Sequence, residues 1–195
     1  MCGRYYVDDE TSREIEKIVR KLDQRLKIEH GQDIHPSESA VVLTKGCREV
    51  AARQMQWGFP GFQGKGLLIN ARAEAILDKK TFRESVLHRR CVIPARHFYE
   101  WSKNKEKYTF QSPKQDDTLF MAGGYQIYNG QNRFVILTTQ ANASVAPVHE
   151  RMPLLLERQE LEDWIMEDAA VEIILAKKPI PLNRTAEYEQ LKLFS

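Results

Sequence analysis

Cysteine is scarce in this 195-residue chain: Cys2, Cys47 and Cys91 are its three, far apart and without C-x-x-C spacing. That pattern argues against both a disulfide framework and a structural zinc site, and points to a reducing, cytoplasmic compartment. Also missing is any apolar run long enough to span a bilayer, and the chain passes from MCGRYYV directly into charged residues, without the apolar core of a secretory signal. The expectation is a protein neither secreted nor embedded in a membrane. Net charge is nearly absent too. Twenty-nine Lys and Arg face 27 Asp and Glu, leaving a formal +2, so no bulk field announces a polyanion and any nucleic-acid site has to be a local patch. There is no internal repeat and no low-complexity linker. With 42% hydrophobic residues the chain suits a single domain over 1–195 with its own core.

What is present reads as mixed α+β. Thr11 and Glu14 have capping-box spacing, and Ile15, Ile18, Val19, Leu22 and Leu26 follow at helical intervals, predicting an amphipathic helix of about four turns. The runs AVVL, LLIN, CVIP, KYTFQ, TLFMAGGYQIY and RFVILTT are rich in β-branched and aromatic residues and predict strands. YNGQN between the last two is a hairpin signal, with a loop read as longer than the tight two-residue form. Leu161, Trp164 and Ile165, then Val171, Ile174 and Leu175, predict two short helices. Helix, many strands, then helices gives an α+β domain with a largely antiparallel, barrel-like β core and flanking helices.

Four stretches hold residues suited to chemistry. Cys2 directly follows Met1, so methionine removal would put an amine and a thiol on adjacent carbons; the plain alternative is a small apolar residue starting a strand. LLINARAE sets Asn70, Arg72 and Glu74 at the polar end of an apolar run, where Asn equally suits a turn. In CVIPARHFYEW, alternation puts Phe98 and Glu100 on one face and His97, Tyr99 and Trp101 on the other. A carboxylate sharing a face with Phe98 is desolvated, its pKa raised toward a value useful for proton transfer, unless the strand is an exposed edge. PVHERMPLLL brings His149, Glu150 and Arg151 into a loop, and a loop histidine in a cleft is a natural acid or base.

These stretches are ordered as in a known family. MCGRY, WGF at Trp57, NARAE at Asn70, RRCVIPARHFYEW ending at Trp101, and TTQAN with VHERMP from Thr138 to Pro153 together resemble the SOS-response-associated peptidase (SRAP) family, which shields abasic sites in single-stranded DNA. The resemblance is clearest over residues 2–165. It implies a catalytic set of Cys2, Asn70, Glu100 and His149, and DNA contacts from Arg4, Arg72, Trp57 and Pro36. WGFPGF departs from the family's pattern by placing Phe62 where a second Trp is usual, DIHPSES matches its loop only through Pro36, and the tail 177–195 is atypical.

The resemblance also gives Cys2 its reason. A ring-opened abasic site is an aldehyde, which unprotonated amines capture. An α-amine of pKa about 7.7–8.0 is roughly a tenth to a sixth neutral at pH 7, against about four parts in ten thousand for lysine. Once an imine forms, the adjacent thiol can close on the same carbon to give a thiazolidine, so Cys2 has to be second in order to become first. On the family's pattern Glu100 holds the amine or moves its proton, Asn70 orients the N-terminal residue, and His149 assists sugar opening or adduct reversal. The expected partner is single-stranded DNA containing abasic sites, the expected state a monomer, and no metal or organic cofactor is called for. Two rival readings stay open: a thiol peptidase with Cys2 as nucleophile and His149 as base, whether general or confined to removing its own Met1, and a non-catalytic single-strand binding module.

Overall fold

A computed structural model describes residues 2–19, 31–114 and 117–187. Its centre is a closed β-barrel. Strands Gln131–Gln140, Val50–Trp57, Ser39–Lys45, Arg90–Ala95 and Leu119–Tyr128 follow one another round the wall, and Leu119–Tyr128 pairs back onto Gln131–Gln140 to close it. Closure removes the exposed edges that an open sheet of such apolar strands would present. The strand Asn70–Arg72 adds in parallel to Gln131–Gln140, setting Asn70 opposite Ile136 and Arg72 opposite Thr138.

A second sheet, in the order Asn183–Ala186, Lys107–Gln111, His97–Trp101, Tyr5–Val7, Gln32–Ile34, packs across the barrel. Pairing of Tyr5 with Phe98 on its neighbour sets Cys2 and Tyr5 in one buried cluster with Trp57, Cys91, Phe98 and Phe134. The tail that the resemblance left unassigned thus supplies an edge strand, Asn183–Ala186. Helix Glu160–Met166 buries Leu161, Trp164 and Ile165, and Val171–Leu175 buries Val171, Ile174 and Leu175.

Mixed α+β with a barrel-like, mainly antiparallel core is what the sequence predicted. Three local expectations change. The first helix runs Asp9–Ile18 and is capped by Asp8, whose side chain accepts from Thr11 N at 2.9 Å, rather than by Thr11; Leu22 and Leu26 lie outside the described residues. The YNGQN loop is the tight two-residue form after all, because Asn129 and Gly130 both adopt positive φ, 50° and 77°, and Tyr128 pairs directly with Gln131. LLIN is not one strand: exposed Leu67–Leu68 forms a small ribbon with Phe59–Pro60, and a separate strand on the barrel wall begins at Asn70.

Candidate functional site

Cys2 is fully buried, and its carbonyl accepts from Asn70 Nδ2 at 2.9 Å while its thiol faces the Arg4 carbonyl at 3.7 Å. Burial pushes the thiol pKa up, and the charge of nearby Glu100 pushes it further. Asn70 Oδ1 is buried as well, without a hydrogen-bond partner among the described residues. An amide committed through its N–H and open through its oxygen can still accept from a polar hydrogen brought beside Cys2.

Glu100 is 2% exposed and shares the inward face of its strand with fully buried Phe98, as alternation requires. Desolvation raises its pKa, and the proximity of His149 opposes that rise. Glu100 therefore lies within electrostatic reach of both Cys2 and His149, with Asn70 bonded to Cys2.

His149 ends the turn Asn142–His149, fastened by Asn142: Oδ1 accepts from Ser144 N at 3.0 Å, and Nδ2 donates to the carbonyls of Pro179 at 3.1 Å and Ile180 at 2.8 Å. The Arg151 N–H donates to His149 Nδ1 at 3.0 Å. The Arg151 carbonyl oxygen lies 3.2 Å from the same nitrogen, so both polar groups of the Arg151 backbone hold the ring by Nδ1.

Sequence reasoning quoted Glu74 and Arg151 but gave them no part. The structure pairs them bidentately, Nη1–Oε1 and Nη2–Oε2 both at 2.8 Å, and Arg151 Nη2 also donates to the Thr138 carbonyl at 2.6 Å. Their hydrogen bond draws the Glu74 pKa from 4.5 down to about 2. The one available signal was that two motifs, each holding a candidate residue, also hold opposite charges.

Arg4 and Arg72 occupy different settings. Arg4 immediately precedes the Tyr5–Val7 strand, its guanidinium carbon 5.3 Å from the Trp101 ring centre and its Nη1 3.6 Å from Asp33 Oδ2. Arg72 is exposed, with no ion-pair partner among the described residues, beside a cleft of about 460 Å³ that Glu74, Gln140, Glu150 and Arg151 also line. A second cleft of about 790 Å³ is bounded by Trp101, Lys103, Tyr108, Pro147 and His149. Glu150 borders both, so the His149 turn stands between them.

Trp57 is not available to a base. It is 0% exposed, stacked 6.2 Å from Phe134, tilted 5.3 Å from Tyr5, and donates from Nε1 to the Ile69 carbonyl at 2.9 Å. The exposed aromatic of that motif is Phe62, 85% exposed on a turn where Gln63, Gly64 and Gly66 all take positive φ. Pro36 is half-buried in the turn beside Ser37, whose N–H donates to the Trp57 carbonyl at 2.9 Å. Among the described residues no cluster of three or more His, Cys, Asp or Glu forms a candidate metal site, and no helix is long and apolar enough to cross a membrane.

The family model described as SOS response associated peptidase (SRAP) matches residues 1–190. A protein shared by Bacillus subtilis and Bacillus phage SPbeta, named abasic site processing protein YoqW, is 29% identical over 85% of this chain and 80% of its own length. Abasic site processing protein YedK of Escherichia coli is 23% identical over 94% of this chain and 89% of its own. A crystal structure of a protein from Bacteroides thetaiotaomicron superposes with a TM-score of 0.80 at 20% identity, covering 98% of this chain and 94% of that one, a likeness of fold.

Proposed function

Because this chain belongs to the SOS response associated peptidase family, we propose that it processes abasic sites, binding them in single-stranded DNA and bonding to them covalently through an N-terminal Cys2 freed of Met1. The free amine adds to the C1′ aldehyde and water leaves, giving an imine. The thiol then adds across the C=N bond: sulfur bonds to C1′, the thiol proton ends on nitrogen, and a thiazolidine joins protein to strand. Relatives named for abasic site processing support the substrate class.

The observation that carries this reading is the setting of Cys2, bonded to Asn70 at its carbonyl and within electrostatic reach of Glu100, whose raised pKa suits it to pass a proton at the amine. His149 serves proton transfers on the sugar. Arg4 and Arg72 take phosphates, and Pro36 with Phe62 offers apolar surface to the bases in place of Trp57. The protein is proposed to act as a monomer in the cytoplasm.

A thiol peptidase needs a thiolate at Cys2, and both burial and Glu100 disfavour one. Ring closure demands less, because the electrophile is an imine held two atoms away and the reaction is intramolecular. Intact mass after incubation with an abasic single strand tests the proposal. A stable adduct lighter than protein plus DNA by one water is expected; cleavage of an offered peptide without adduct would move the assignment to the peptidase, and neither product would leave a binding module.

A further inference from the structure

The geometry points to Glu74 as a positioning residue that acts through Arg151 on His149. The inference rests on the proposed abasic-site chemistry, since it assigns a residue to the same site. Glu74 follows the Asn70–Arg72 strand directly, and Arg151 opens Arg151–Pro153, the strand that pairs with Thr138–Gln140. Their bidentate contact therefore ties the segment holding Asn70 to the segment holding His149.

Each end of the tie is itself fixed. Glu74 Oε1 also accepts from Gln140 N at 3.2 Å and Thr139 Oγ1 at 3.3 Å, and the Arg151 side chain, 12% exposed, reaches the Thr138 carbonyl. The backbone N–H and carbonyl of Arg151 are the groups that meet His149 Nδ1. Whatever holds Arg151 in place thus holds the imidazole ring. Two parallel charge-assisted bonds fix an angle as well as a distance, which a single lysine contact would not.

Neither side chain needs to touch DNA for this role. A merely structural tie would lower stability and slow every step alike, whereas a tie acting through His149 affects only what His149 does.

The test is a double-mutant cycle on the rate at which the adduct releases DNA, read after a chase with excess unlabelled abasic strand. Glu74→Gln is expected to slow release about tenfold or more in the wild-type background, displacements near 1 Å being able to cost about a hundredfold. With His149→Ala it should change release by less than about twofold, because the group it positions is gone. Equal slowing in both backgrounds overturns the inference and leaves the covalent chemistry standing. Absence of adduct in the wild-type protein instead refutes the chemistry, and the inference with it. A second readout needs no DNA: the ¹⁵N shifts of the His149 ring should differ between the wild type and Glu74→Gln, because the Arg151 backbone groups that hold Nδ1 are displaced. Retention of the wild-type pattern counts against the positioning role. Should Glu74→Gln fail to fold, Arg151→Lys, which keeps the cation but not the two-point grip, is measured in the same cycle with the same expectations.

Discussion

Replacing Trp57 and Phe62 of WGFPGF separates core from DNA surface. Trp57 buries its whole ring system against Phe134 and Tyr5. Truncation to alanine there costs about 3–5 kcal/mol, which at roughly 2–4 °C per kcal/mol for a chain of this size lowers Tm by roughly 6–20 °C. Trp57→Phe is gentler. It deletes the pyrrole edge and the bond to the Ile69 carbonyl, but that carbonyl keeps the bond from Ile136 N at 3.1 Å, so the loss is about 1–3 kcal/mol. Phe62 lies in solvent, and Phe62→Ala should leave stability within about 0.5 kcal/mol. Removing a stacking aromatic costs about 1–3 kcal/mol per base, which is about 5- to 150-fold in affinity for an undamaged single strand. Urea midpoints and fluorescence anisotropy on both variants supply the comparison. Unchanged stability with lost DNA affinity in Trp57→Phe, and wild-type binding in Phe62→Ala, would refute the reasoning.

Cys2→Ser keeps the amine but loses the thiol, so borohydride should still trap an imine while the unreduced, heat-stable adduct disappears; wild-type levels of that adduct would rule out a thiazolidine. Arg4→Ala and Arg72→Ala should each flatten the log–log salt dependence of single-strand binding by about 0.7, the share of one phosphate contact, and an unchanged slope in both would make them structural. Glu100→Gln should slow adduct formation yet raise stability above pH 4.5, because the burial that raises this carboxyl's folded-state pKa makes its ionised form costly to the fold; urea titrations at pH 4 and pH 7 read the difference. Glu74 has the opposite sign. Its pKa is lowered to about 2, so its contribution is complete above 4.5 and fades as pH falls toward 2. Allowing for its half-exposed side chain, Glu74→Gln should be about 1–2 kcal/mol less stable than wild type at pH 7, with the gap closing at pH 2–3.

Legibility in the sequence followed the range of each interaction. Leu119–Tyr128 and Gln131–Gln140 announce themselves because β-branched and aromatic runs need no distant partner to be recognised, and both form the barrel wall. Which strands complete that wall is not legible, since it depends on Val50–Trp57 pairing in parallel with Gln131–Gln140, Trp57 beside Phe134, a partnership that no local pattern encodes. The helix Lys80–His88 escaped for a related reason: only Ser85 and Val86 on it are buried, so it carries no broad apolar stripe. The start of the first helix was misplaced by three residues because Asp8 competes with Thr11 for the same cap, and the stronger acceptor took it.

The site divides along the same line. That Glu100 is desolvated was readable, because two-residue alternation beside Phe98 is a local rule and the strand lies in the interior. That Trp57 is core was not, because the residue type most prized for stacking on a base is also the one that best fills a barrel, and only a folded neighbour such as Phe134 distinguishes the two uses. Glu74 and Arg151 stand 77 residues apart, and nothing along the chain marks them as partners until the strand bearing Asn70 and the strand after the His149 turn both pair with Thr138 on Gln131–Gln140. Local rules thus identify the residues able to do chemistry, while the geometry that gathers Cys2, Asn70, Glu100 and His149 is set by pairings in both sheets.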